Sequence, residues 1–244
     1  MSTISDSQPN QAIIIAAGMG SRLWSDIFSG PKTLLPYGEG TVLSTIMGGL
    51  HKAGINRFII VIGYRGDEIR DYIEKCDYFE WKCDFVVNDD WQKGNARSVL
   101  AARDLVGDGP FLLSMSDHLV TTGALNKIAA ARSPKNLLLV DKRIDLIFDI
   151  PDATKVRCED QKIVSIGKTL ADYNGVDCGI FKLNARIFGA IEKAMETAND
   201  SISAAAEMLI GEDDFDAVFM DPADRWIDID TPEAYQYCLE NKIV

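Results

Sequence analysis

The sequence lacks the features that mark membrane proteins, nucleic-acid-binding proteins and zinc proteins. None of its 244 residues belongs to an apolar run near the roughly 18 residues that a membrane-spanning helix requires. The formal net charge of −12 excludes the basic surface that non-specific nucleic-acid binding requires. The chain has two histidines, and its five cysteines show no C-x-x-C spacing, so a zinc site is disfavoured. The cysteines are expected to be free thiols in a reducing cytoplasm.

Two glycines and two cations follow the first strand-like run of the chain. Residues 12–15 are apolar, Gly18 and Gly20 come next, and Arg22 and Pro31-Lys32 follow them. Glycines let backbone N–H groups surround anionic oxygens, and Arg22 can bind phosphate oxygens as a fork. Clustered cations are informative in so acidic a chain, because an anionic substrate needs local positive charge. The pattern predicts a polyphosphate site.

Two common phosphate-binding loops are excluded by residues that are missing. A dinucleotide fingerprint needs a third glycine at G-x-G-x-x-G, but Leu23 stands at that position. A Walker A loop needs Gly-Lys-Ser/Thr, and this tripeptide is absent from the sequence. The two glycines alone leave an ordinary strand–turn open as an alternative, which the positions of Arg22 and Lys32 disfavour.

Strand-like and helical patterns alternate through the first half of the chain. Residues 58–62 and 111–115, for example, are continuous apolar runs. This order predicts an α/β fold with a doubly wound, mostly parallel sheet and with sites at the carboxyl ends of the strands. Strands predominate over residues 137–183, which predicts a smaller mixed-sheet region over the substrate. We expect residues 1–11 to be a disordered tail and residues 12–244 to form one domain.

Acidic residues follow the central strand and recur near the C-terminus. Asp117 comes just after the strand 111–115, where a carboxylate can bind Mg²⁺ or cap a helix that begins a few residues later. Asp228 and Asp230 would share one face of a strand, where two carboxylates repel each other unless a cation lies between them. Asp230 could instead lie at the N-terminus of the last helix, for which Thr231 is the predicted N-cap. The residues alone leave these alternatives open.

The pattern A-A-G-x-G-S-R-L, followed by Pro31-Lys32, resembles the first motif of the sugar-phosphate and alcohol-phosphate nucleotidyltransferases. The resemblance extends from about residue 12 to the C-terminus, and it implies a Rossmann-like nucleotidyltransferase sheet with a mixed-sheet acceptor region. The nucleotide-binding residues that it implies are Ala16, Ala17, Gly18, Met19, Gly20, Ser21, Arg22, Lys32, Gly94, Asn95, Ala96 and Asp117.

The same resemblance implies a metal site. In this family, an aspartate after the central strand and an acidic residue in a W-x-D-x-x-T-P segment bind the catalytic metal. Asp117 and Asp228 match these positions, and Asp230 matches a further acidic residue of the cytidylyltransferase members. The implied cofactor is Mg²⁺ on these three carboxylates.

The remaining matches concern the nucleobase and the catalytic cations. Gly94-Asn95-Ala96 resembles the segment that reads the base, although Asn95 as a helix cap stays open. Arg97 could reach phosphate or solvent. Arg22, Lys32 and Lys168 are the implied catalytic residues.

The acceptor site is implied by four residues of the second half. Lys168 matches the lysine that binds the acceptor phosphate, although an exposed lysine after a glycine is often a solvated turn residue. Lys142 and Arg143 would add positive charge beside the pocket. Asp177 would bind acceptor hydroxyl groups, or simply end a strand.

The segments around His118, Thr154, Lys168, Asp177 and Asp228 are most similar to those of cytidylyltransferases that use inositol 1-phosphate. This implies Mg²⁺-dependent transfer of a cytidylyl group from CTP to inositol 1-phosphate, giving CDP-inositol and pyrophosphate. Phosphocholine, a phosphonate or a sugar 1-phosphate are alternative acceptors, and a non-catalytic regulatory module is a further alternative. The role of His118, in the pocket or in the core, stays open.

The expected partners are CTP and a small phosphorylated alcohol, without nucleic acid and without direct membrane insertion. The chain lacks the transmembrane transferase domain that some relatives carry, so such a partner would be a separate protein that uses the product. A homodimer is compatible with the sequence, and the expected compartment is the cytoplasm.

Overall fold

The computed structural model describes residues 8–20, 22, 29–76, 81–107 and 109–244. The strands are β1 (Gln11–Ala16), β2 (Pro36–Tyr37), β3 (Gly40–Thr41), β4 (Arg57–Ile62), β5 (Lys82–Val87), β6 (Phe111–Met115), β7 (His118–Val120), β8 (Asn136–Asp141), β9 (Lys155–Glu159), β10 (Lys162–Gly167), β11 (Gly175–Leu183), β12 (Phe215–Phe219) and β13 (Trp226–Asp228). The α-helices are α1 (Val42–Lys52), α2 (Gly66–Glu74), α3 (Ala96–Ala101), α4 (Thr122–Ala130), α5 (Arg186–Glu196), α6 (Ile202–Gly211) and α7 (Pro232–Asn241). Short 3-10 helices are formed by Lys32–Leu34, Arg103–Leu105 and Ile144–Leu146.

One sheet of nine strands, in the order β5-β4-β1-β6-β11-β8-β12-β10-β9, organises the described residues. The strands β5, β4, β1 and β6 are parallel, whereas β11 runs antiparallel to both of its neighbours β6 and β8. β10 is antiparallel to β12 and to β9. The predicted α/β class is confirmed, and the predicted mixed-sheet region is the second half of this single sheet.

Helices cover both faces of the sheet. Ala12, Ile14 and Ala16 of β1 pack into one core together with α1, α2, α4 and α7. Ile13 points the other way, into a core that includes α3, α5 and α6. Successive side chains of a strand alternate between faces, so a strand covered on both sides must be apolar throughout. This explains why the central strands have continuous apolar sequences.

Two helices begin at threonine N-caps, and the one at Thr231 is the cap that the sequence predicts. Thr41 accepts a hydrogen bond from the Ser44 backbone N–H at 3.2 Å at the start of α1. Thr231 accepts one from the Ala234 backbone N–H at 3.1 Å, and Pro232 occupies the first turn of α7. These side-chain acceptors satisfy N–H groups that have no partner inside the helix.

The start of β1 corrects the predicted boundary of the tail. Gln11, which the sequence analysis assigns to the tail, is the first residue of β1 and pairs with Arg57. It is buried, and its side-chain carbonyl accepts a hydrogen bond from Arg57 Nη1 at 3.2 Å. Neighbouring strands therefore recruit a polar residue that carries no strand signal of its own. Residues 1–7 of the predicted tail lie outside the described residues.

Four of the five cysteines have the predicted state of free thiols. Cys83, Cys158, Cys178 and Cys238 are free thiols. Burial raises the pKa of Cys83 and of Cys158 to about 11, so both stay protonated at neutral pH. In the described part of the chain, no helix has the length and apolar character that crossing a membrane demands.

The strand ends that carry the predicted site residues meet at one edge of the sheet. β1 ends just before the glycine loop, and β6 ends two residues before Asp117. β7 then pairs with β13 in an antiparallel ribbon that sets Asp228 opposite His118. Asp117, His118, Asp228 and Asp230 all line a cleft at this edge.

Candidate active site

The loop after β1 packs closely against a lysine. Gly20 has a φ of +64°, a left-handed conformation that glycine adopts without strain. A Cβ atom at Gly20 would collide with the side chain of Lys32, so the loop packs directly against that cation. Described residues of the predicted nucleotide site in this loop are Ala16, Ala17, Gly18, Met19 and Gly20. Ser21, predicted to belong to the same site, lies outside the described residues.

Lys32 is the central cation of the cleft. Its ammonium group contacts carboxylate oxygens of both Asp117 and Asp230, and its side chain is only 14% exposed. Burial alone would lower the pKa of Lys32, but Asp117, Asp230 and Asp228 outweigh it and hold the pKa well above its ordinary value. Lys32 is therefore a permanent positive charge beside the loop.

Asp117 binds cations with both carboxylate oxygens. One oxygen contacts Lys32, and the other lies 2.7 Å from His118 Nδ1. Burial acts against the charged form, but Lys32 and His118 hold the pKa of Asp117 well below its ordinary range. The interpretation of Asp117 as a helix cap is wrong, because β7 separates it from α4 and Thr121 is the residue before that helix.

Asp228 and Asp230 lie on either side of Ile229 at the end of β13. Asp228 Oδ1 is buried and has no hydrogen-bond donor among the described residues. Burial and the neighbouring carboxylates raise the pKa of Asp228 to about 7. Asp230 contacts Lys32 and Arg22. Thr231, rather than Asp230, caps α7.

These carboxylates fit a hard divalent cation. Ligand atoms of Asp117, His118 and Asp228 lie within 4.8 Å of one another, and so do those of Asp152, Asp228 and Asp230. The Asp228 oxygen without a donor is the type of atom that a bound cation would satisfy. Carboxylate oxygens are the preferred protein ligands of Mg²⁺. Asp228 belongs to both groups, whereas Asp117 belongs to the first and Asp230 to the second.

Two ion pairs share one carboxylate of the cleft, that of Asp152. Arg22 Nη1 lies 2.9 Å from Asp152, and Lys168 Nζ lies 2.9 Å from the other oxygen of the same carboxylate. Burial disfavours the charged carboxylate, but hydrogen bonds from Lys168 and Arg22 hold the pKa of Asp152 below its ordinary range. The sequence analysis did not assign Asp152 to the site; the similarity of the segment that begins with it was the only available signal.

Asp177 faces the same cleft from β11, where a register shift bends the strand. Its Oδ1 accepts a hydrogen bond from the Gly179 N–H at 2.7 Å. Burial raises the pKa of Asp177 to about 6. Gly179 has a φ of +73°, and a Cβ atom there would collide with the His118 ring. A glycine is therefore required where β11 passes the imidazole.

His118 is a pocket residue as well as a packing residue. Its ring stacks on Trp226 with centroids 5.8 Å apart. Burial would lower the pKa of His118, but Asp228, Asp117 and Asp177 outweigh it and raise the pKa to about 9. The imidazole is thus a second cation beside Asp117 and Asp228.

Lys142 and Arg143 are not brought to the cleft, which corrects their predicted role. Lys142 Nζ lies 4.7 Å from the centroid of the Phe219 ring. Arg143 donates hydrogen bonds to Asp141, with Nη2–Oδ2 at 2.8 Å. Asp141 is a buried carboxylate that also accepts from Trp226 Nε1 at 3.1 Å, so it requires a local counterion. Arg143 supplies that counterion and is not available to a substrate.

The segment predicted to read the base packs against the start of α6. Asn95 Oδ1 accepts a hydrogen bond from the Ile202 N–H at 2.9 Å, so Asn95 supports the start of α6 and not that of its own helix. Asn95 still lines the cleft. The Ala96 N–H donates to the Asp200 carbonyl at 3.0 Å, and Gly94 lies against the same residue. Asn95 is thus both structural and exposed to the cleft.

Arg97 is engaged by two carboxylates. Its Nε lies 2.7 Å from Asp200 and its Nη1 lies 3.0 Å from Asp90. These pairs connect the start of α3 to the loop after β5 and to the loop between α5 and α6.

Comparison with known proteins places this geometry in a family. The sequence model of the MobA-like NTP transferase domain matches residues 12–144. The chain belongs to this family. It is a nucleotidyltransferase.

Curated relatives resemble the chain over more residues than the family model matches. A protein of Thermococcus kodakarensis named "Bifunctional IPC transferase and DIPP synthase" is 30% identical over 226 residues, which are 92% of this chain and 49% of that protein. A protein of the same name from Aquifex aeolicus is 30% identical over 225 residues, with 91% and 49% covered. The chain thus spans about half the length of these curated relatives.

A solved structure covers nearly the whole chain. The inositol-1-phosphate CTP transferase from T. maritima superposes with a TM-score of 0.81, at 28% identity and with 97% of both chains covered. A UDP-glucose pyrophosphorylase from Acinetobacter baumanii has a TM-score of 0.79 at 19% identity, over 96% of this chain and 93% of the other. The second likeness shows the fold alone.

Proposed function

We propose that this chain transfers the cytidylyl group of CTP to inositol 1-phosphate, with CDP-inositol and pyrophosphate as products. The observation that carries the proposal is a set of three cleft cations, Arg22, Lys32 and Lys168, each held by a carboxylate that a phosphate group can replace. The T. maritima structure, named an inositol-1-phosphate CTP transferase, supports the choice of substrates because it matches 97% of both chains.

The glycine loop and its two cations suit the triphosphate of CTP. Arg22 and the loop backbone would bind the β- and γ-phosphates. Lys32 would stabilise the negative charge that develops on the α-phosphate. Asn95, which lines the same cleft, would contact the base together with the backbone of Gly94 and Ala96.

Asp117, Asp228 and Asp230 would hold Mg²⁺. When bound, the ion would neutralise charge on the phosphate oxygens of the two substrates and orient them for in-line displacement. The donor-free oxygen of Asp228 supports this assignment. His118 would keep Asp117 oriented through its 2.7 Å contact.

The reaction needs positioning and charge neutralisation from the protein. An oxygen of the acceptor phosphate attacks the α-phosphorus of CTP and forms a new P–O bond. The bond between the α-phosphorus and the oxygen that bridges it to the β-phosphate breaks, and its electron pair leaves with pyrophosphate. A phosphate monoester is already an ionised nucleophile at neutral pH, so neither a covalent enzyme intermediate nor a strong base is required.

Lys168 and Asp177 would bind the acceptor. Lys168 would contact its phosphate, and Asp177 would accept hydrogen bonds from its hydroxyl groups. The reaction would take place in the cytoplasm.

A screen of nucleoside triphosphates against acceptors tests the proposal. We expect pyrophosphate release to be fastest with CTP and inositol 1-phosphate, and at least about tenfold slower with UTP, ATP, phosphocholine, a phosphonate or a sugar 1-phosphate. A clear preference for another pair would replace the proposed substrates and keep the reaction class. Absence of pyrophosphate release with every pair would favour a regulatory module.

Substitutions of Lys168 and Lys142 distinguish the revised acceptor site, which excludes Lys142, from the site predicted from the sequence. We expect Lys168→Ala to raise the KM for inositol 1-phosphate about 10- to 100-fold with little change in kcat, because a phosphate loses its charged partner. Lys142→Ala removes the same charge from a site beside Phe219, outside the cleft, and should leave this KM within about twofold. Steady-state kinetics with saturating CTP measures both. Equal effects of the two substitutions would contradict the revised site.

A further inference from the structure

Asp152 forms ion pairs with one cation of the proposed triphosphate site and one cation of the proposed acceptor site. It lies in the loop between the 3-10 helix Ile144–Leu146 and β9. Its two oxygens each bind one cation at 2.9 Å: Arg22, proposed to bind the triphosphate, and Lys168, proposed to bind the acceptor phosphate. One carboxylate therefore pairs with a cation from each of the two proposed substrate sites.

Both cations would turn from Asp152 to phosphate groups when the substrates bind. Their side chains are 51% and 59% exposed, so neither is held in place by packing. Oxygens of Asp228 and Asp230 lie within 4.8 Å of the carboxylate of Asp152, and Asp149 Oδ1 faces its backbone N–H at 3.5 Å. These neighbours are themselves carboxyl groups. A carboxylate only accepts hydrogen bonds, so the ligand is well placed to supply the donors.

The position of Lys168 defines which donors are within reach. A phosphate group on Lys168 would lie beside Asp152, because the two side chains are 2.9 Å apart. A hydroxyl group on the carbon next to the phosphate ester would then face the carboxylate. Phe148 and Trp226 line the same cleft and offer apolar ring faces to the carbon skeleton of a cyclic acceptor.

We propose that Asp152 selects acceptors that carry hydroxyl groups next to their phosphate ester. It exchanges its ion pairs with Arg22 and Lys168 for hydrogen bonds from these hydroxyl groups in the loaded enzyme. The inference rests on the proposed function and adds a chemical requirement for the acceptor. A site built to bind a hydroxyl group discriminates strongly against an analogue that lacks it, because its polar group is then left without a partner.

This inference is tested by a double-mutant-type cycle, in which wild-type enzyme and a variant are each measured with two acceptors. The acceptors are inositol 1-phosphate and cyclohexyl phosphate, which has the same ring without hydroxyl groups. We expect Asp152→Ala to lower kcat/KM for inositol 1-phosphate about 10- to 100-fold, through the acceptor KM. With cyclohexyl phosphate the loss should be at least about tenfold smaller, because this acceptor has no hydroxyl group that could lose its partner. Asp152→Asn, which keeps one oxygen acceptor, should show a smaller loss of the same kind.

Asp149→Ala is the matched control, since it removes a neighbouring carboxylate that holds neither cation. The same hydroxyl-dependent loss in this variant would overturn the assignment to Asp152. Equal losses with both acceptors in Asp152→Ala would also overturn it, because they would show an action on the cations alone. If the wild-type enzyme uses inositol 1-phosphate and Asp152→Ala keeps its preference, only this inference fails. If the wild-type enzyme releases no pyrophosphate from CTP and inositol 1-phosphate, the proposed function fails and the inference with it.

Discussion

Asp117→Asn is expected to lower the rate of pyrophosphate release about a thousandfold or more, while the protein stays folded. Asparagine has the shape of aspartate but lacks the charge that a divalent cation needs. Asp117 contacts Lys32 and His118 with its two oxygens, so it orients both of these side chains. Its loss removes a proposed metal ligand and misplaces Lys32 at the same time.

Two measurements separate this chemistry from a folding defect. Binding of Mn²⁺, followed by its paramagnetic signal without any substrate, should weaken at least about tenfold in Asp117→Asn. Asp172→Asn removes a carboxylate that is 83% exposed, and should change neither binding nor activity. Metal affinity and activity equal to those of the wild type in Asp117→Asn would contradict the metal assignment.

Lys32→Met is expected to lower kcat about a hundredfold or more and to destabilise the metal-free protein by about 3 kcal/mol. Lys32 is largely buried and contacts Asp117 and Asp230. Methionine fills much of the same volume but leaves these carboxylates, and the nearby Asp228, without their shared cation. Carboxylates that repel one another in a partly buried site disfavour the folded state.

Chemical denaturation with and without MgCl₂ measures the stability effect. Added Mg²⁺ should restore more stability to Lys32→Met than to the wild type, because it supplies the missing positive charge and binds only the folded state. Lys75→Met, at a lysine that is 76% exposed, should cost less than about 0.5 kcal/mol. A Lys32→Met protein as stable and as active as the wild type would contradict the central role of this cation.

Local sequence was sufficient where one element determines the position of a residue. The apolar run of β6 predicted its strand from Phe111 to Met115, and the aspartate that follows reaches the cleft because parallel strands end at one edge. The capping signal of Thr231 acts within a single turn, and this prediction was confirmed.

Partners that are distant in the sequence could not be predicted in this way. Asp152 lies 130 positions from Arg22, and nothing near either residue indicates that they form an ion pair. Arg143 has the charge expected of an acceptor residue, but the fold buries Asp141 beside it and uses the guanidinium there. The charge of a residue is visible in a sequence, whereas its counterion is decided by the tertiary structure.

The sequence analysis places Asp228 on a strand, but it predicts neither β7 nor the pairing of β7 with β13. β7 and β13 have three residues each, which is too short for a periodic pattern to be recognised. Their pairing is what sets Asp228 opposite His118 and lets the two aspartates of the C-terminal segment face the cleft. Asn95 shows a related effect, because it supports the helix that begins at Ile202 and not the one that follows it.

The most direct test of the proposed function uses CTP that is labelled with ³²P at its α-phosphate and measures which product carries the label. With the wild-type enzyme, Mg²⁺ and inositol 1-phosphate, we expect the label in CDP-inositol and unlabelled pyrophosphate in equal amount. Omission of inositol 1-phosphate should stop both. Release of labelled CMP without an acceptor, or no transfer of label to inositol 1-phosphate while another phosphorylated acceptor is labelled, would contradict the assignment.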